Sequence, residues 1–311
     1  MPSAPTPDHT THRDRTFAGR AHLTVLQSIL VVSALLVMAL ASYGVPPALP
    51  GRQPGFDSWP LLEMFLQRDR LPYPGSAQKI WDSRLDAEVH YWRRQIRKQN
   101  SEEWRADYAE RLDPTAPLQE IIARHVDPSL GVNKILDVGS GPLTSINRHC
   151  SFCELAVTAV DPLADFFNQV LDKRGITPPV RPELGWGERL SEQFGEDRFD
   201  ITYSRNAIDH SYDPIKCLEE MIRATKKGRY VILEVTERSG TLERWTGLHQ
   251  WDFFVPRAPP WFERHLFIEG QSILAVDVTS HFADVAETTT LEVTEDDAER
   301  RIALVLRKRA H

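Results

Sequence analysis

Hydrophobic positions change their spacing several times along the chain, and the first change is the most marked. Residues 23–43 read LTVLQSILVVSALLVMALASY and carry no formal charge. A helix of that length covers about 31 Å at ~1.5 Å per residue, close to one hydrocarbon core. Gly44, Pro46 and Pro47 then end the run. The pattern predicts a transmembrane anchor over 21–44.

Other interpretations of this segment stay open. A cleaved signal peptide usually has a shorter apolar region of ~7–15 residues, although Ala39 and Ala41 imitate its small-residue cleavage site. A buried core helix seldom runs so long without a polar face. A misassigned start or a helix lying on the membrane surface would also give this pattern.

The polar segments around the anchor predict simpler structure. Residues 1–20 are rich in Pro, Thr, His and Arg without an apolar period, which is typical of a disordered tail. Residues 45–78 carry repeated Pro and Gly and are predicted to be a linker. Helical spacing from 76 to about 111 and again over 118–125 predicts a helical extension, which we assign to 79–130.

Short apolar runs then alternate with helical stretches. The runs are 134–138 (KILDV), 155–160 (LAVTAV), 199–203 (FDITY) and 230–235 (YVILEV), with a weaker one at 179–181 and helices at 164–173, 188–194 and 214–225. This alternation predicts right-handed crossovers and a parallel sheet covered on both faces. Two further runs, 288–293 and 301–307, flank an acidic turn and predict a terminal β-hairpin.

Composition narrows the class of protein. Of 311 residues, 41% are hydrophobic and 26% charged, which excludes a disordered or collagen-like chain. A net charge of -7 argues against a nucleic-acid partner, which needs a basic surface. Three cysteines are too few for a disulfide framework, and an odd number cannot all be paired within the chain. Cys150 and Cys153 form a single C-x-x-C pair, too few ligands for structural zinc, so no metal is expected.

A glycine turn follows the first predicted strand and carries the main chemical signal. In ILDVGSGP the strand ends at Asp137 and turns through Gly139, Ser140 and Gly141. Glycines there allow positive φ and a close approach of ligand to backbone, at the sheet edge where ligands bind. Asp161 ends the next strand, where a ribose diol would meet a carboxylate.

Two classes of cofactor compete for such a turn. A dinucleotide site needs G-x-G-x-x-G, but the third position is neither Gly nor Ala and no basic residue compensates. Asp137 also places an anion beside the turn, which disfavours a pyrophosphate and favours a cationic ligand. The phosphate-binding pattern G-x-x-x-x-G-K-[ST] is absent from the sequence.

The order ILDVGSGP, VDP, FDITYSRNAIDH and GRYVILEV resembles the class I S-adenosylmethionine-dependent methyltransferases over residues 130–236, together with the terminal hairpin. The upstream stretch DAEVHYWRR…WRADYAERLDPTAPL is similar to the N-terminal extension of some bacterial members. The resemblance implies an α/β fold with a doubly wound, mostly parallel seven-stranded sheet over 131–311. One departure from the family is Pro142-Leu143, where many members have a further glycine.

The resemblance also implies roles for particular residues. Asp137, Gly139 and Gly141 would line the methionine part of S-adenosylmethionine, and Asp161 would hold the ribose hydroxyls. The remaining implied contacts are Glu188 near the adenine and Asn206 with Ala207 closing the pocket. Structural explanations stay open for several of these: plain turn glycines, an Asp-Pro turn at Asp161, and a helix-start carboxylate at Glu188.

Candidate groups for the acceptor lie after the fourth and fifth strands. Asp209-His210 is the first choice for catalysis, because histidine titrates near neutrality, although a loop-ordering role is an equal alternative. His249 is the second choice, within an aromatic segment that could equally be a core edge. Residues 237–285 are long for a connection and are assigned to acceptor binding or a lid. The helix carrying Trp81, Glu88, Tyr91 and Trp92 is expected across the cofactor mouth.

The sequence thus predicts a membrane-anchored methyltransferase acting on a small-molecule, lipid or glycan acceptor by in-line displacement. The alternatives are an NAD(P)-dependent oxidoreductase and a catalytically silent, membrane-anchored interaction module. Three arginines before the anchor and one after it favour export of the rest. The implied cofactor is made in the cytosol, and we give that more weight, expecting a single-pass protein with a cytosol-facing domain. The oligomeric state and acceptor atom stay open.

Overall fold

The computed structural model describes residues 74–98, 101–257, 264–271, 273–295 and 299–310. The predicted tail and anchor, and all but the last few residues of the predicted linker, lie outside these ranges. None of the helices in the described ranges is both long and apolar enough to cross a membrane.

Eight helices are described in these ranges. They are α1 (Pro74–Arg97), α2 (Glu102–Leu112), α3 (Glu120–Ala123), α4 (Ala164–Arg174), α5 (Leu190–Phe194), α6 (Pro214–Ala224), α7 (Ser239–Leu242) and α8 (Val278–His281), with 3-10 turns at Gly187–Arg189 and Ile208–His210. The helical spacing from 76 to about 111 corresponds to two helices, α1 and α2. The helices predicted at 164–173 and 214–225 are confirmed to within one residue.

Seven strands form the main sheet. They are β1 (Asn133–Val138), β2 (Leu155–Asp161), β3 (Pro182–Leu184), β4 (Phe199–Arg205), β5 (Thr225–Thr236), β9 (Ala286–Glu295) and β10 (Arg300–Lys308), in the spatial order β3-β2-β1-β4-β5-β10-β9. The first five are parallel, and β10 pairs antiparallel with both β5 and β9. This confirms the predicted mostly parallel sheet and terminal hairpin. The weak strand predicted at 179–181 was wrong, since β2 pairs with residues 182–184 instead.

Hydrophobic side chains on alternate positions of the strands fill two cores. Val231 and Leu233 of β5 join the core beneath α6, whereas Ile232 between them joins the core beneath α3. A strand buried on both faces reads as a continuous apolar run, as these strands do in the sequence. Because the parallel strands end at one edge, the loops after β1, β2 and β4 meet there.

The segment between β5 and β9 contains a second sheet that the sequence pattern did not predict. β6 (Trp251–Phe254), β7 (Phe267–Gly270) and β8 (Ile273–Asp277) pair antiparallel in the order β6-β7-β8. β6 is buried along its whole length, so its run WDFF lacks the alternation by which a half-buried strand is identified. The segment predicted for acceptor binding or a lid is thus an ordered subdomain in its described part.

Cys150 and Cys153 are joined by a disulfide bond. Their Cα atoms lie 5.4 Å apart in the turn before β2, within the range that a disulfide spans. Cys217 is free and buried in α6. The cysteine count did not predict this bond, because it stabilises one local turn and no wider framework.

Candidate active site

The glycine turn after β1 lies against the loop after β4. Gly139 has φ +73°, and a Cβ there would lie 2.4 Å from the Cβ of Ala207, so no larger residue fits. Gly141 also has positive φ, at +63°, and the indole of Trp92 packs beside it. The backbone N–H groups of Gly139 and Ser140 both donate to the carbonyl of Val160 at the end of β2. The turn is therefore held between the two strands that flank β1.

Asp161 holds the turn from the tip of β2. One carboxylate oxygen accepts the N–H of Gly141 at 3.0 Å and the other accepts the N–H of Leu163 at 2.8 Å. Each oxygen keeps a further lone pair for a ligand hydroxyl. Burial raises the pKa of Asp161 to about 6, against these hydrogen bonds and with help from the charges of Glu88 and Asp137.

Asp137, unlike Asp161, has its carboxylate buried away from the cleft. Its carboxylate accepts the hydroxyl of Thr144 at 2.5 Å beneath the turn and is 1% exposed. Burial raises the pKa of Asp137 to about 6, in spite of this hydrogen bond and the charge of Arg111. Both aspartates were expected to contact the cofactor. Asp161 lines the cleft, whereas Asp137 does not.

A cleft opens at this edge of the sheet, where the loops after β1, β2 and β4 meet. Gly139, Gly141 and Asp161 form what we name its glycine side. The described lining includes three carboxylates, those of Glu88, Asp161 and Glu188, and neither lysine nor arginine. Such a wall favours a cationic or neutral ligand and disfavours a phosphate.

Glu188 and Asn206 both line the cleft but are already engaged by the protein. The Glu188 carboxylate accepts the backbone N–H groups of Tyr212 and Asp213, and burial raises its pKa to about 7. Asn206 has φ +46°, and its side-chain oxygen accepts the N–H of Thr236. Asparagine tolerates that left-handed conformation better than most residues. Asn206 therefore contributes the shape of the loop.

Helix α1 lies across the cleft, as predicted. Trp81, Glu88 and Trp92 line it, whereas Tyr91 is 42% exposed. The Trp81 indole donates to the backbone carbonyl of His210 at 2.7 Å, and the Trp92 indole donates to Glu88 at 2.7 Å. The first bond ties α1 to the loop after β4, and the second, within α1, orients two of the side chains that line the cleft.

Asp209, His210 and His249 meet in a cluster that we name the polar triad. His210 Nε2 lies 3.0 Å from His249 Nδ1, which lies 3.1 Å from Asp209 Oδ2. The same Oδ2 accepts the Ser239 hydroxyl at 2.6 Å. Of the triad, only His210 lines the cleft, and it marks what we name the triad side.

The surroundings of the triad favour a charged carboxylate. Burial works against the charge on Asp209, but the two imidazoles and the Ser239 hydroxyl outweigh it and lower its pKa to about 2. Burial likewise works against a charged His249, yet its hydrogen bond to Asp209 raises the pKa of this imidazole. The two imidazoles thus stabilise the charge on Asp209, and Asp209 in turn stabilises a charged His249.

The structure brings most of the predicted site residues to one cleft. The cleft is lined by Gly139, Gly141, Asp161, Glu188, Asn206, Ala207 and His210. Four predicted residues do not line it: Asp137, Ser140, Asp209 and His249. Sequence reasoning missed Thr144, which fixes Asp137, and Ser239, which fixes Asp209. A hydroxyl residue carries no spacing signal that would have indicated either role.

Comparison with known proteins shows the family to which the chain belongs. A family model described as "Methyltransferase domain" matches residues 90–287, well over half of the chain. No curated protein matches the chain.

Solved structures similar to this chain are distant in sequence. An S-adenosylmethionine-dependent methyltransferase from Methanosarcina mazei is 14% identical with a TM-score of 0.41, covering 63% of this chain and 100% of its own. A Burkholderia thailandensis 1,6-didemethyltoxoflavin-N1-methyltransferase, solved with 1,6-didemethyltoxoflavin and S-adenosylhomocysteine, is 15% identical with a TM-score of 0.43, covering 77% and 92%. Similarities at this level carry no argument about the acceptor.

Proposed function

The chain belongs to the methyltransferase-domain family, in the class I S-adenosylmethionine-dependent superfamily, and from that premise we propose that it methylates a small-molecule, lipid or glycan acceptor. S-adenosylmethionine is its cofactor. The observation that carries the proposal is the lining of the cleft: three carboxylates and a histidine, without lysine or arginine in its described part.

The residues present fit this cofactor. A sulfonium with an ammonium group suits a wall of carboxylates, whereas the pyrophosphate of a dinucleotide does not. The two carboxylate oxygens of Asp161 have lone pairs left for two ribose hydroxyls. The turn has no side chain at Gly139 or Gly141, so that the methionine part can approach the backbone at these two positions. When bound, the cofactor supplies the activated methyl group.

The acceptor is proposed to bind on the triad side, next to His210. In-line displacement requires the acceptor atom to be aligned and water to be kept out. Trp81 and Trp92 of α1 cover the cleft and supply an apolar wall for that purpose. A hydroxyl or amine placed beside His210 has its proton within reach of the polar triad, and we therefore assign the catalytic role to Asp209, His210 and His249.

We propose in addition that residues 21–44 anchor the enzyme in a membrane as a single pass. The support is the uncharged run of 23–43 and its length. A cytosol-facing catalytic domain would have direct access to a cofactor made there. A reporter fused after His311 tests this orientation: activity confined to the far side of the membrane would overturn it.

The proposed function is tested with the full-length chain in mild detergent. Calorimetry should give heat with S-adenosylmethionine and none with NADH. A radiolabelled methyl donor, incubated with separated membrane, glycan and small-metabolite fractions, should label one of them. Binding of the cofactor without labelling of any fraction would favour a catalytically silent module. Binding of NADH in preference would overturn the assignment of the cleft.

A further inference from the structure

The polar triad places three potential metal-ligand atoms around one point. His210 Nε2, His249 Nδ1 and Asp209 Oδ2 are separated by 3.0, 3.1 and 3.5 Å. Two atoms bound to one transition-metal ion at ~2.0–2.2 Å, at angles between octahedral and tetrahedral, lie about 2.8–3.6 Å apart. The three separations therefore match one face of a coordination sphere without a change in the fold.

A second observation concerns the buried carboxylate. Asp209 is 2% exposed, and its other oxygen, Oδ1, has no hydrogen-bond partner among the described residues. Buried polar atoms of side chains are nearly always bonded, so an orphan acceptor on an ionised group is unusual. A cation bound through both oxygens of this carboxylate would satisfy Oδ1 directly.

The neighbours of the triad suit a ligand set. Ser239 donates to Asp209 Oδ2, which orients the carboxylate. The second nitrogen of His210, Nδ1, lies 3.9 Å from the Glu88 carboxylate, which is too long for a hydrogen bond but is the position at which metal-bound histidines usually have a carboxylate partner. The side chain of His210 is 23% exposed and lines the cleft, so coordination positions on that side would be open to a substrate.

We propose that Asp209, His210 and His249 bind one divalent transition-metal ion. Two imidazoles and one carboxylate form the donor set of zinc and non-haem iron sites that keep open positions. With the ion bound, the three side chains are ligands, and they would act on the acceptor proton through the ion, which makes a coordinated hydroxyl more acidic, and not as a free base. The role of the ion rests on the proposed function: the ion would coordinate an acceptor oxygen or nitrogen, and thereby restrict acceptors to those that carry a hydroxyl, phenol, carboxylate or amine.

The test is calorimetry with Zn²⁺ on the tag-free full-length chain, stripped with chelator and free of cofactor. The wild type should bind one ion at the triad. Loss of a residue that orients a metal ligand usually weakens metal binding about 10–100-fold, and Ser239→Ala should fall in that range. His249→Ala and the isosteric Asp209→Asn change ligands themselves, so each should weaken Zn²⁺ binding at least about 100-fold. His9, His12 and His22 are present in every variant, so any weak binding by them cancels.

His265→Ala is the matched control. His265 also contacts a carboxylate, that of Asp277 at 2.8 Å, but outside the polar triad, so its loss should leave Zn²⁺ binding unchanged. Melting curves of the metal-free variants show whether Asp209→Asn keeps the fold. Equal Zn²⁺ binding by wild type and a folded Asp209→Asn would overturn the proposal, as would equal loss in His265→Ala. Neither result depends on cofactor binding. The metal proposal can therefore fail while the proposed function holds, and the reverse is also true.

Discussion

On the glycine side of the cleft, the ends of neighbouring strands hold the turn through backbone groups, one carboxylate and the contact with Ala207. On the triad side, side chains from distant parts of the chain meet. Gly141 and Asp161 are 20 positions apart and joined by one hydrogen bond. His210 and His249 are 39 positions apart, and Glu88 reaches His210 from 122 positions upstream. The first side is set by the sheet, and the second by how α1 and the segment after β5 pack onto it.

This difference has a functional meaning. A sheet edge gives the cofactor the same rigid support in any protein with this fold, while the acceptor depends on elements added around it. Trp81 and Glu88 of α1 lie upstream of residue 90, where the family match begins. Changes on the two sides should therefore separate into effects on cofactor affinity and effects on turnover.

The largest expected effect is on the triad side. His210→Ala should lower turnover by about 10²–10⁴-fold, the usual contribution of a group that handles the acceptor proton. Its dissociation constant for S-adenosylmethionine should change less than about threefold. Turnover with the acceptor found by methyl labelling, and calorimetry with the cofactor, measure the two effects. A large loss of cofactor affinity would show that the two sides do not act separately.

The converse change is Asp161→Ala on the glycine side. The variant loses two bonds to backbone N–H groups and two proposed bonds to ribose hydroxyls, with bonds to a charged group contributing ~1.5–3 kcal/mol each. The dissociation constant of S-adenosylmethionine should rise at least about 100-fold in calorimetry. An unchanged constant would exclude Asp161 from the cofactor site.

Gly139→Ala tests whether the glycine turn is fixed by packing. The new Cβ would clash with Ala207 and sit at positive φ, which together should cost about 2–4 kcal/mol of unfolding free energy. Gly175→Ala is the control, because Gly175 has a similar φ of +64° and no atom within 4 Å. It should cost only about 1 kcal/mol. Equal costs in denaturant unfolding would mean that the contact with Ala207 is easily relieved.

A pH series sharpens the assignment of Asp161. Burial raises the pKa of this carboxyl to about 6, so it becomes protonated as the pH falls through 6. A cationic cofactor prefers the ionised form, and Asp161 alone should therefore lower the affinity by at most about tenfold per pH unit below pH 6. Asp161→Asn should make that part of the profile less steep and leave the contributions of Glu188 and Asp137, whose pKa values burial raises to about 7 and about 6. A wild-type affinity that rises at low pH would contradict the assignment.

The smallest effect concerns the helix over the cleft. Trp81→Phe keeps the apolar ring but removes the indole bond to the His210 carbonyl, which should cost about 0.5–1.5 kcal/mol of stability. Turnover should fall more than cofactor affinity, because the bond supports the triad side. Denaturant unfolding and steady-state kinetics measure both. A loss confined to cofactor affinity would assign α1 to the glycine side instead.

The parts that could be predicted from sequence are those with local causes. Ile135 to Gly141 combine a buried strand with a glycine turn, and both signals lie within eight residues. The orientation of Asp137 could not be predicted, because it depends on one hydroxyl seven positions away. The contact between His210 and His249 depends on how the loop before β6 packs, and β6 itself lacks a periodic signal. Helical spacing from residue 76 predicted helix α1, because that signal is also local.

The most direct measurement for the central claim is a crystal structure of the full-length chain with S-adenosylhomocysteine. We expect both ribose hydroxyls within hydrogen-bond distance of the Asp161 carboxylate, the methionine part along Gly139 and Gly141, and the sulfur turned toward His210. A nucleoside bound with its ribose on Glu88, or a sulfur facing away from His210, would contradict this account.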